Sequence, residues 1–165
     1  MLAIRALIVV VVFNVFEADA DQARSVPDNL RHRIEQLPTK LTQLYRAKEK
    51  DLAGSTISMT EGLVSISNGL IEDAVVLQAF VTEQQPDKVR TEIRRDQEAI
   101  ARSVDYERNG EGWGGTITSI EAASATLTHV ENLISFYVTR IFEKDHSFNL
   151  ENWYVAWRKA SKRDK

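Results

Sequence analysis

Three histidines and no cysteine bound the chemistry open to this chain. Without a thiol there is no cysteine nucleophile, no disulfide scaffold and no thiolate metal ligand. Glu143 and His146 form a Glu-x-x-His pair, which on a helix puts a carboxylate and an imidazole on one face. Di-iron bundles need two such pairs and a glutamate from each of two further helices. Here there is one copy, around Lys144 and Asp145 at a helix end, and His32 and Glu35 run in the opposite order. These read as surface polar residues. His129, near Glu131, reads as a flanking or half-buried helix residue. No metal and no cofactor is expected.

Serine and threonine collect at residues 55–60 and 116–119. A nucleophilic serine needs a base and a third group to orient it. No Gly-x-Ser-x-Gly elbow occurs, and both clusters suit helix starts, where hydroxyls cap free backbone N–H groups. Gly110, Gly112, Gly114 and Gly115 include a Gly-x-Gly spacing. No strand pattern precedes them and no Gly-Lys-Ser/Thr follows, so a phosphate-binding loop fails on context. The chain is not expected to be an enzyme.

What survives is aromatic and basic. Trp113 stands among glycines in the longest connection, where a tryptophan either lids the core or meets a partner. Near the C-terminus Trp153, Tyr154 and Trp157 lead into Arg158, Lys159, Lys162, Arg163 and Lys165. Leu150, Trp153 and Trp157 share a helical face and are expected to dock on the rest of the protein. Tryptophan, tyrosine and arginine also dominate interface hot spots. Trp113, Trp153, Tyr154, Trp157, Arg158 and Lys159 are therefore the candidate partner-binding residues. The basic tail is a local positive patch able to steer an acidic partner or meet a membrane surface.

The elements that must position these residues are helical. Leu30, Ile34, Leu37, Leu41 and Leu44 form one apolar seam. It keeps its phase across Pro38, which predicts one kinked helix over 27–53 ended by Gly54, with two helices meeting at Pro38 as the alternative. Leu63, Ile66, Leu70, Ala74, Leu77 and Val81 form a second seam before Pro86, and a short strand near its start, over 57–66, is the competing reading. Pro86-Asp87 opens a charged third helix with Val89, Ile93, Ile100 and Val104 inward. Ile120, Ala123, Leu127, Val130, Ile134, Tyr137 and Ile141 mark a fourth that ends near Lys144, and a short helix follows over 149–160. Four long amphipathic helices with short connections predict an all-α, up-and-down bundle with a short C-terminal helix.

The N-terminus sets the expected location. Arg5 precedes an apolar run from Ala6 to Phe13, and Ala18-Asp19-Ala20 supplies small residues where signal peptidase cuts. A spanning helix takes about 20 apolar residues, more than this run offers. Residues 1–20 are thus expected to be a signal peptide and 21–165 one helical-bundle domain that is secreted and extracellular (periplasmic if bacterial). After cleavage no stable membrane insertion is expected. The net charge of −3 gives no bulk attraction for nucleic acid, and the absence of an Asn-x-Ser/Thr sequon excludes N-glycosylation. A secreted, non-enzymatic binding or effector protein follows. It would act by protein–protein contact on an extracellular partner, inhibition of that partner included. The alternative is a carrier of lipid or another small apolar ligand. Oligomeric state is left open.

Overall fold

A computed structural model of the chain describes residues 25–53, 61–109 and 120–161. They form five helices, α1 (Asp28–Ala53), α2 (Glu61–Thr82), α3 (Pro86–Asn109), α4 (Ile120–Phe142) and α5 (Leu150–Ser161). No strand occurs among the described residues, and the all-α bundle is as expected. Residues 1–20, Gly54, the clusters at 55–60 and 116–119, the glycine connection with Trp113, and Lys162, Arg163 and Lys165 lie outside the described residues.

The five seam residues of α1 are buried. Each contributes roughly 1.5–3 kcal/mol relative to exposure. Together they outweigh the about 3 kcal/mol that a proline costs in a helix interior, and α1 runs through Pro38 as one helix. Pro38 has no N–H, so the carbonyl of Ile34 loses its usual donor one turn on. The indole of Trp153 replaces it, donating from Nε1 to the Ile34 oxygen at 2.9 Å in a buried setting. The proline of the first helix and the tryptophan of the last are thus one arrangement.

Helix α2 is helical from Glu61, which removes the strand reading for 61–66. It stops at Thr82, where Glu83 takes a left-handed φ of 55°, and Pro86 opens α3 at the position where a missing N–H costs nothing. Asn149 caps α5, its side-chain oxygen accepting from the Asn152 amide at 2.9 Å. Paired positions give the directions. Arg31 meets Asp145 and Tyr45 meets Glu131, so α1 and α4 are antiparallel. His129 lies 4.0 Å from Asp96, and Glu92 acts on Tyr137, so α3 and α4 are antiparallel as well. With α2 and α3 joined by a three-residue turn, the order is up, down, up, down.

One detail departs from the periodic reading. Helix α4 buries Ala122, Thr126, Val130, Ile134, Val138 and Phe142, a strict four-residue row, while Ala123 is exposed and Leu127, Tyr137 and Ile141 are only half-buried. The helix packs against α2, α3 and α5 together, which widens its inner face enough to take in Thr126 and Glu131. Helix α5 packs on α1 and α4 and gives Trp153, Trp157 and Ala160 to the core. The C-terminal helix is a working wall of the bundle.

Candidate functional site

Several charged side chains are paired within the molecule. Asp73 is wholly buried and accepts from Arg33 and Lys40 of α1, each at 2.7 Å. Arg90 forks onto both oxygens of Glu72 at 2.7 and 2.8 Å and also reaches Asp87. Those hydrogen bonds hold the Glu72 carboxyl below its ordinary range and raise the Arg90 guanidinium. Arg31 bonds Asp145 at 2.7 Å and lies over the stacked rings of Phe142 and Phe148, fixing the α4–α5 turn to the start of α1. Hydrogen bonds from the Ser147 hydroxyl and amide, aided by Arg31, lower the Asp145 carboxyl.

The seam between α1 and α5 is built differently. Trp153 and Trp157 stack at 5.3 Å and are 5% and 2% exposed, so apolar contact and the single indole–carbonyl bond hold α5 in place. Tyr154, half-buried, anchors it to α4 through Thr139 and the Ser135 carbonyl. Outside these rings runs a groove of about 400 Å3, lined by Pro38, Thr39, Thr42, Tyr45, Arg46 and Glu49 of α1 and by Ala156, Lys159 and Ala160 of α5. The Tyr45 hydroxyl is turned inward, donating to the buried Glu131 at 2.6 Å, which leaves the ring as its contribution to the groove.

The residues picked out from sequence divide accordingly. Trp153 and Trp157 belong to the core and do not form a contact surface in this chain, as expected of a face that docks on the bundle. Arg158 and Lys159 are exposed, and of the five candidates among the described residues Lys159 lines the groove. Trp113 lies outside the described residues. The opposite wall, with Arg46 and Tyr45, went unnoticed in the sequence. Its signal is weak, a row of Thr39, Thr42, Arg46 and Glu49 at helical spacing, and nothing local pairs that row with α5.

The candidate chemistry also finds its place. Helix α4 ends at Phe142, so Glu143 and His146 do not share a helical face, and Glu143 lies 3.8 Å from Arg140. His32 and Glu35 are an exposed pair at 3.9 Å. His129 stands 4.0 Å from Asp96, beyond hydrogen-bond range, and does not line the groove. Among the described residues no group of three or more acidic or histidine side chains is placed to hold a metal ion. No described helix is long and apolar enough to cross a membrane. Comparison with protein-family models, curated proteins and solved structures gives no match.

Proposed function

We propose that this is a secreted, non-enzymatic binding protein that acts by contact with an extracellular protein partner. The observation that carries the reading is the α1–α5 groove, which combines an apolar ring and small side chains with two exposed cations, one on each wall. Its volume lies at the small end of the roughly 300–1,000 Å3 typical of ligand pockets, and it suits one or two side chains of a partner better than a whole lipid. The row of buried aliphatic residues through α1, α2 and α4 also favours this reading over a carrier of apolar ligand.

The test is cross-linking of the protein in the extracellular fluid of its producing organism, followed by mass spectrometry. The expected result is a saturable protein adduct competed by unlabelled protein. Recovery of only the uncross-linked chain, or of bound lipid in its native mass, would overturn the reading.

A further inference from the structure

Among the described residues, cations with an acid in reach use it. Arg31, Arg33, Lys40, Lys88, Arg90, Arg102 and Arg140 all have carboxylate partners within 4.0 Å. Arg46 and Lys159 have none, as is also true of Lys48, Arg94, Arg95 and Arg158, and they are the two of these cations that line the groove. The same lining holds one acid, Glu49, against these two cations, so its formal charge balance is positive. The helix dipole favours Lys159 in the last turn of α5. It does not account for Arg46, two turns before the end of α1.

We infer that the α1–α5 groove docks a carboxylate-rich segment of a partner protein. An aliphatic side chain of that segment enters between Pro38, Tyr45 and Ala156, and flanking Asp or Glu residues pair with Arg46 and Lys159. The apolar contact supplies affinity, and the two cations supply orientation and a faster encounter. The inference rests on the protein-binding reading above and names the chemistry of its partner.

The experiment titrates the 15N-labelled full chain with three short synthetic peptides. One alternates Glu and Leu, one replaces each Glu by Gln, and one replaces each Glu by Lys. The acidic peptide should shift the amides of Thr39, Thr42, Arg46, Ala156 and Lys159. It should bind at least about tenfold more tightly than the Gln peptide, a difference of about 1.4 kcal/mol, and weaken as salt is raised. The Lys peptide should leave those amides unmoved. In the Arg46→Glu/Lys159→Glu variant, whose unchanged amide dispersion shows that it folds, the preference should invert towards the Lys peptide. Equal binding of all three peptides, shifts centred elsewhere, or an unaltered preference in the variant would each overturn the proposal. So would sedimentation with phosphatidylglycerol vesicles that is lost in the variant, if no acidic peptide binds. A cross-linked partner whose recovery survives the double reversal would remove the groove while leaving the protein-binding reading intact.

Discussion

The two seams on either side of α1 solve the same packing problem with different means. Towards α2, an aliphatic contact is flanked by charge: Arg33 and Lys40, two helical turns apart, close on the buried Asp73 from α1. Towards α5, the contact is built on rings, with one buried hydrogen bond from Trp153 to the carbonyl that Pro38 leaves open. The first seam consumes its cations to neutralise an acid that has no access to water. The second leaves Arg46 and Lys159 unspent beside a groove. A charge that the fold requires is unavailable to a partner, and the difference between the seams leaves two cations available at the groove.

The largest expected effect breaks the ring-built seam. Trp153→Ala should cost about 3–5 kcal/mol in urea denaturation, the usual range for a buried tryptophan. Trp153→Phe keeps most of the packing and isolates the hydrogen bond. It leaves the Ile34 carbonyl buried without a donor, a cost of about 1–3 kcal/mol. Pro38→Ala restores a backbone N–H at the position that bonds Ile34. In that background Trp153→Phe should cost measurably less. An equal cost in both backgrounds would mean that the proline and the indole are not coupled.

The next effect concerns the charged seam and depends on which partner is removed. Arg33→Gln/Lys40→Gln strands the Asp73 carboxylate in the interior, and breaking a buried pair in this way costs about 3–5 kcal/mol. Asp73→Ala strands only Arg33 and Lys40, whose side chains are 42% and 34% exposed and can turn to water. It should cost less, about 1–3 kcal/mol. Chemical denaturation of the two variants decides it. The reverse order would show that the cations, rather than the acid, bear the desolvation.

How much of this was legible in the sequence follows from the range of each interaction. The seam of α1 is a local pattern, and all five of its residues are buried as the spacing predicts. In α4 the apolar seam and the buried row share Val130 and Ile134 and part elsewhere, because apolar types alone pass over Thr126 and Glu131, which the wide inner face of that helix buries. Asp73 carried a faint signal, an acid set between Leu70, Ala74 and Leu77 on the inward side of α2. Its two partners lie 40 and 33 residues away, and the Ile34–Trp153 bond spans 119. Such pairings are fixed by tertiary packing, and no periodicity encodes them. The groove is unreadable for the same reason: each wall is an ordinary polar helix face until α5 is laid beside α1.

A smaller effect tests the turn that brings α5 back to α1. Hydrogen bonds from Ser147 and the charge of Arg31 hold the Asp145 carboxyl below its ordinary value. A folded-state pKa below the unfolded one means stability that is present above about pH 4, the reference range for aspartate. It is lost as pH falls through the depressed folded value. The wild-type protein should therefore melt higher than Asp145→Asn at pH 6, and the gap should close towards pH 2. A gap that is constant with pH would assign the difference to side-chain shape instead of charge.

The smallest expected effect on stability is the most informative about the comparison. Arg46 and Lys159 are exposed and have no ion pair among the described residues, so reversing both breaks no salt bridge there. It does set a glutamate three residues from Glu49 and an acid at the C-terminal end of α5. These two terms are each a fraction of a kcal/mol, so Arg46→Glu/Lys159→Glu should cost about 1 kcal/mol in thermal and urea unfolding. A loss approaching that of Arg33→Gln/Lys40→Gln would put these two cations in the structural class and leave the groove without free charge. A small loss with an inverted peptide preference would separate the two seams by function, since a fold tolerates reversal only of charges it does not use.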